Sequence, residues 1–211
     1  RDAFHSVHRQ MPLTHAEKYK LRIIWYWYPL YCLGGISFLA FIILVITGSI
    51  LGLYYVPGGE GDPTPAYSSM EFIMTTLPFG YIIRSIHHWT THFMVAAVFL
   101  HMCRVYFTGA YRNPRELNWL IGVALMFFVI FFGYSGYLLP WDSLAFGAAT
   151  IGINMATATP LIGDWMANAL FAGTTLSGQT VTRMYFLHVF ILPVLVTALI
   201  LIHLFIVWVQ G

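Results

Sequence analysis

Four stretches of this chain, near residues 30–55, 89–107, 119–139 and 186–209, are apolar for about twenty residues each. A hydrocarbon core roughly 30 Å thick is crossed by ~20 helical residues, so each stretch is long enough to span a bilayer. In lipid no water satisfies a backbone N–H or C=O, which leaves the α-helix as the spanning element for runs of this length. Only 9% of the 211 residues are charged, against about 25% in ordinary soluble domains. The ten Lys and Arg residues nowhere cluster densely enough for nucleic acid. The expected fold class is an all-α membrane protein, a four-transmembrane-helix bundle. Residues 1–29 form a polar N-terminal segment and 30–211 one transmembrane domain. No signal-peptide pattern is visible in residues 1–29, so the first stretch is expected to be a retained anchor.

The connections differ in kind. Residues 56–80 are turn-rich and acidic, with the breaker run Pro57-Gly58-Gly59 and then Pro63 and Pro65, and read as a surface loop. The short link 108–118 carries Arg112, Pro114 and Arg115 and makes the second and third stretches antiparallel neighbours. Residues 140–183 are long for an unstructured loop. Their small and apolar residues at 145–159 and 165–171 predict two short amphipathic helices along the membrane surface. Orientation follows from the basic residues: Arg1, Arg9, Lys18, Lys20, Arg22, Arg104, Arg112 and Arg115 fall on one side, and only Arg84 and Arg183 on the other. The positive-inside tendency places the N-terminal segment, the short link and the C-terminus on the cytoplasmic or equivalent n side, and the other two connections on the p side.

Ionisable groups within spans are costly, which makes them functional candidates. His87 and His101 are fourteen residues apart, and His188 and His203 fifteen. At ~1.5 Å and 100° per residue, the members of each pair are separated by roughly 21 to 23 Å along the axis and stay within about 40–60° of one face. With the orientation above, His87 pairs with His188 near the p surface and His101 with His203 near the n surface. Two imidazoles at each of two depths form a ligand set for two bis-histidine b-type haems, whose filled axial positions suit electron transfer rather than oxygen binding.

Gly34 and Gly48, and Gly122 and Gly136, repeat the fourteen-residue interval and would let a flat macrocycle approach the backbone at the same depths. Close helix packing is their ordinary use. Arg84 and Arg104, three residues from His87 and His101, are placed either to meet haem propionates or to snorkel to the interface. His88 and His92 stand i, i+4 without a third ligand and read as interfacial or packing residues, while His5, His8 and His15 read as solvated. Cys32 and Cys103 belong to no CxxC or CxxCH pattern, so neither a zinc site nor an ordinary c-type haem motif is expected, nor a disulfide.

The runs Arg84-Ser85-Ile86-His87-His88-Trp89, His101-Met102-Cys103-Arg104-Val105-Tyr106, Pro114-Arg115-Glu116-Leu117-Asn118-Trp119 and Gly136-Tyr137-Leu138-Leu139-Pro140-Trp141-Asp142 resemble the N-terminal, haem-carrying half of cytochrome b. The resemblance covers about 28–211. The fifteen-residue interval, the closing Gln210-Gly211 and the motif Tyr31-Cys32-Leu33-Gly34-Gly35 are similar to the short split b6 form found in cytochrome b6f and related bacterial menaquinol complexes. The resemblance implies a subunit of a quinol-oxidising Rieske–cytochrome b complex, not catalytic alone. Such a subunit carries electrons across the membrane between p-side and n-side quinone sites and contributes to proton translocation. Implied partners are membrane lipid, quinol or quinone, a Rieske iron–sulfur protein, a c-type cytochrome or plastocyanin-type acceptor, and a further subunit, in a dimeric complex.

In the b6 form the cysteine matching Cys32 is joined by a single thioether to a third, c-type haem on the n side. The family has basic residues just before the final Gln-Gly, where this chain has Trp208 and Val209, which removes a propionate partner. The family's p-side quinol pocket is shared with a separate subunit carrying a Pro-Glu-Trp-Tyr motif, absent here. Tyr137, Leu139, Pro140, Gly147 and Ile151 are the matching wall candidates, and Asp142 faces the same side in a structural or a functional role.

A dihaem b-type membrane anchor of another respiratory dehydrogenase or hydrogenase is the alternative, but it gives no role to the Pro140-Trp141-Asp142 segment. A haem-free transporter or scaffold leaves the four histidines unexplained. The quinone, the terminal acceptor and a respiratory versus photosynthetic setting stay open. The divergence over 56–80 favours a bacterial plasma membrane over a thylakoid.

Overall fold

The computed structural model describes residues 30–210. The N-terminal segment 1–29, with its basic residues and three histidines, and Gly211 lie outside the described residues. The described residues contain no strand. The α-helices are α1 (Leu33–Gly52), α2 (Pro65–Thr75), α3 (Gly80–Phe107), α4 (Glu116–Leu138), α5 (Ser143–Thr157), α6 (Gly163–Phe171), α7 (Gly178–Phe186) and α8 (Leu192–Gln210). A widened π turn, Leu187–Ile191, joins α7 to α8 in one rod, Gly178–Gln210. By length and composition α1, α4 and this rod are able to cross a membrane; the chain is an integral, multi-pass membrane protein. The 28-residue α3 is ~42 Å long, but Arg84, His87, His88, His92, His101 and Arg104 dilute its apolar character.

Residues 56–80 are not a simple loop. Thr64 caps α2, its hydroxyl accepting from the Tyr67 N–H at 3.3 Å, and Pro65 occupies the first helical position, where no N–H is needed. The breakers are confined to the residues before this cap, so they punctuate the segment without preventing a helix. Phe79 then adopts a left-handed φ of 61° and turns the chain into α3 nine residues before the apolar stretch begins. At Gly80 the Ile73 carbonyl lies so close that no side chain would fit. The two helices expected within 140–183 are α5 and α6, and Asp142 caps α5 by accepting from the Ala145 N–H at 2.8 Å. That contact gives Asp142 a structural role.

The rod begins eight residues before its apolar stretch, through a reciprocal Ser177–Thr180 cap on α7. Its π turn contains His188. A π turn takes up one more residue than an α turn, so the fifteen-residue interval to His203 matches the fourteen-residue interval on α3.

Among the described residues, the buried ones form two clusters. One lies where α2, α5, α6 and α7 meet the ends of α1 and α4, around Ile73, Leu138, Trp141, Ile153, Phe171, Val181 and Met184. The other is small: Ala40, Phe41, Met94, Val129 and Val196. Phe41, Met94 and Val129 each lie seven residues from both members of the glycine or histidine pair on their helix, and Val196 lies eight from His188 and seven from His203. This cluster is therefore an apolar plug midway between the two histidine levels.

Tyr55, beyond α1, donates its hydroxyl to the Leu139 carbonyl at 2.7 Å and stacks on Tyr185 at 5.3 Å between ring centroids. Burial first, and the neighbouring Tyr185 second, push the Tyr55 phenol up, so it remains a donor. Tyr55→Phe leaves the Leu139 carbonyl without this donor and should destabilise the protein by about 1–3 kcal/mol, read as a lower melting temperature in detergent. Because the folded state holds this proton more tightly, its stabilisation is present below pH ~10 and declines above it, where the unfolded phenol ionises. Tyr55→Phe removes that part of the alkaline slope.

Candidate functional site

The helix register brings each of the four glycines against one of the four histidines. A Cβ added at Gly48 would lie 3.0 Å from His87 Cε1, one at Gly136 2.5 Å from His188 Cε1, one at Gly34 3.1 Å from His101 Cε1 and one at Gly122 3.6 Å from His203 Cε1. Thus α1 runs antiparallel to α3, and α4 to the rod. The glycines meet the imidazole rings themselves, so what they first admit is the ring. The His87 and His188 rings face each other with centroids 6.4 Å apart. An imidazole nitrogen lies roughly 1.1 Å from its ring centre and about 2.0–2.1 Å from a bound metal, so two opposed axial ligands place their centroids about 6.3 Å apart. The spacing fits one iron between the rings. Among the described residues no group of three or more His, Cys, Asp or Glu could hold a metal.

At this level both Nδ1 atoms are bound. His87 Nδ1 lies 2.9 Å from Thr47 Oγ1, and His188 Nδ1 lies 3.0 Å from Ser135 Oγ and 3.1 Å from the Phe132 carbonyl. A carbonyl only accepts, so His188 carries its proton on Nδ1 and leaves the Nε2 lone pair for a metal. The other level opens on a cavity of about 380 Å³ whose lining includes Gly34, His101, Arg104, Asn118, Gly122 and His203. Arg104 Nε, Asn118 Oδ1, His203 Nδ1 and Gln210 Oε1 are buried there without hydrogen-bond partners. The Asn118 backbone acts on the His203 ring without completing a hydrogen bond. The Arg104 guanidinium lies 5.2 Å over the Tyr31 ring, with one terminal nitrogen 3.5 Å from His101 Nδ1. Orphaned polar atoms around an apolar cavity, with a cation among them, fit a flat, mostly apolar group bearing carboxylates.

Arg84 is half-buried and close enough for its charge to act on His87. Arg183 instead donates to the Ala169 and Asn168 carbonyls, at 2.8 and 3.4 Å. Cys32 is half-buried at the start of α1; Tyr31, Gly34 and Gly35 line the cavity and Cys32 does not. Trp208 and Val209 face outward. His88 and His92 also face outward, with their Nε2 atoms 3.3 Å apart, and Cys103 is half-buried. Of the wall candidates, Tyr137, Gly147 and Ile151 are exposed, while Leu139 and Pro140 are half-buried. Thr47, Ser135, Tyr31, Asn118 and Gln210 were not expected at the site. The legible signal for the first two is a hydroxyl residue directly before a glycine of the fourteen-residue pattern.

A family model described as cytochrome b/b6/petB matches residues 17–211. The chain belongs to the cytochrome b family. It is 41% identical to cytochrome b6 of Prochlorococcus marinus (strain NATL1A) over 181 residues, 86% of this chain and 81% of that one. It is 40% identical to cytochrome b6 of Heliobacterium mobile and 42% identical to that of Euglena gracilis, over 86% of this chain and 83% and 82% of theirs. A solved structure described as a hyperthermophilic respiratory Complex III superposes with a TM-score of 0.76 at 32% identity over 86% of this chain, which spans about half, 48%, of that one.

As a cytochrome b, the chain binds b-type haem, and the glycine contacts rank its sensitivity. Gly136→Ala forces the closest clash with a ring and should lower haem retention most, Gly48→Ala and Gly34→Ala less, and Gly122→Ala least, measured as b-type absorbance per purified chain. Equal losses at Gly122 and Gly136 would contradict the ring-contact role.

Proposed function

We propose that this cytochrome b carries electrons across the membrane as a subunit of a quinol-oxidising Rieske–cytochrome b complex. In this reading His87 and His188 hold one b-type haem near the p surface, and His101 and His203 a second near the n surface. The observation that carries it is the shared register: four histidines face four glycines at two levels, with an apolar plug halfway between. Relatives named cytochrome b6 and the likeness to a respiratory Complex III support the setting. In the proposed topology α3 is the fourth span, and α5 and α6 lie along the p surface.

When bound, the two haems supply one-electron redox chemistry at two depths. The chain's own residues do the rest. The histidines present Nε2 from opposite walls, and the glycines leave room for their rings. Phe41, Met94, Val129 and Val196 close the interior to water between the levels, so that protons do not follow electrons through the bundle. Arg104, a pure donor facing the Nδ1 of a ligating ring that also carries a proton, gains little there and is free to turn to a propionate; Arg84 has the corresponding place at the p side. The exposed Tyr137, Gly147 and Ile151, with Leu139 and Pro140, form one wall of a quinol pocket that another subunit completes. Quinol oxidation there and quinone reduction at the n side would release protons on one face and take them up on the other. A Rieske protein and a c-type cytochrome or plastocyanin-type acceptor, in a dimeric complex, complete the assembly. Cys32, a half-exposed thiol beside Tyr31 and Gly34, is the proposed attachment point of a third, c-type haem on the n side.

Reduced-minus-oxidised spectra of the purified complex test the reading. The expected result is a b-type band, with one of its two components lost in His188→Leu and the other in His203→Leu; a protein without the band contradicts it. A haem stain after denaturing electrophoresis should mark the wild-type chain and not Cys32→Ala. An unstained wild-type chain removes the third haem and leaves the other two.

A further inference from the structure

The two histidine levels differ in a way the sequence carries openly. The glycines facing the p-level rings follow hydroxyl residues, Thr47-Gly48 and Ser135-Gly136, whereas those facing the n-level rings follow aliphatic ones, Leu33-Gly34 and Ile121-Gly122. Both hydroxyl residues are buried. Thr47 donates its one hydroxyl hydrogen to the Ile43 carbonyl at 2.7 Å, and Ser135 donates its own to the Phe132 carbonyl at 2.9 Å. Each oxygen is thereby left to accept from the imidazole Nδ1–H in front of it, at 2.9 Å from His87 and 3.0 Å from His188. His188 has the Phe132 carbonyl as a second acceptor at 3.1 Å. At the n level no hydroxyl does this work: His203 Nδ1 has only the Asn118 backbone near it, without a completed hydrogen bond, and His101 Nδ1 faces the Arg104 guanidinium at 3.5 Å, which cannot accept.

Hydrogen bonding of Nδ1–H makes an imidazole a more basic ligand. A more basic ligand pair stabilises the oxidised, more positive iron. An unpaired Nδ1 and a nearby cation favour the reduced one. We infer that Thr47 and Ser135 are positioning residues that lower the midpoint potential of the p-level haem. The inference rests on the haem assignment proposed above.

The test is a redox titration of the b-type absorbance in the intact complex, compared among wild type, Thr47→Val, Ser135→Ala, the conservative Thr47→Ser and Ser135→Thr, and Ile121→Thr. Wild type should show two one-electron waves. Thr47→Val and Ser135→Ala should each move the same single wave to higher potential, changing the reduced-to-oxidised ratio at a fixed potential roughly tenfold, or about 59 mV for one electron. The conservative variants should leave it in place, and Ile121→Thr, which puts a hydroxyl at the matching n-level register, should move the other wave downward. If Thr47→Val fails to assemble, Ser135→Ala, a smaller change, carries the test alone. Waves that stay in place in the hydroxyl-deleted variants, or that move together, overturn the inference while the haem assignment stands. A wild-type complex with no b-type wave overturns the assignment itself.

Discussion

An imidazole in the interior of a membrane bundle has two ring nitrogens to satisfy and little water to satisfy them with. In this protein that constraint arises four times and organises most of what surrounds it. Where His87 and His188 meet, Nδ1 of each ring is taken by a hydroxyl whose own hydrogen is tied to its helix, which leaves Nε2 free, and the ring centroids are 6.4 Å apart. A glycine behind each ring is the consequence, because a side chain there would strike the imidazole edge.

The same constraint explains why so little of the bundle is buried among its own side chains. Two levels of histidine facing glycine leave room for a self-packed core only between them, and that is where Phe41, Met94, Val129 and Val196 meet. The larger core lies instead beyond the His87–His188 level, where α2, α5, α6 and α7 pack without a histidine level to accommodate. Many large apolar side chains of α1, α3, α4 and α8 face outward, the arrangement of a helix bundle solvated by lipid and by partner subunits. The π turn at His188 belongs to the same logic: it absorbs the extra residue that would otherwise rotate one ligand out of register with its partner on α3.

Three of the four expected spans, and the register that sets glycines against histidines, were legible because each is a periodic signal, and helical periodicity survives translation from sequence to structure. What was not legible depends on contacts between residues far apart in the chain. The Tyr55–Leu139 bond joins positions 84 residues apart, and the orphaned atoms of Asn118 and Gln210 meet only around a cavity formed by four helices. Helix α2 was hidden for a different reason: the glycines and prolines of 57–63 dominate the local pattern, although Thr64 and Pro65 form an ordinary helix start. The start of α3 at Gly80 and of the rod at Gly178 were missed because their first turns are polar enough to fall outside an apolar window. Thr47 and Ser135 were readable in principle, since each precedes a glycine already singled out, but only the structure shows which way their hydroxyl hydrogens point.

The central claim is that the interior of this bundle ligates iron through paired imidazoles at two levels. Near-infrared magnetic circular dichroism of the oxidised protein, combined with quantitation of acid–acetone-extractable haem per chain, addresses it most directly, because the charge-transfer bands of low-spin ferric haem report both axial ligands. The account predicts two extractable haems per chain, both with a bis-imidazole signature. A single extractable haem, or a high-spin or histidine–methionine signature at either level, would contradict it.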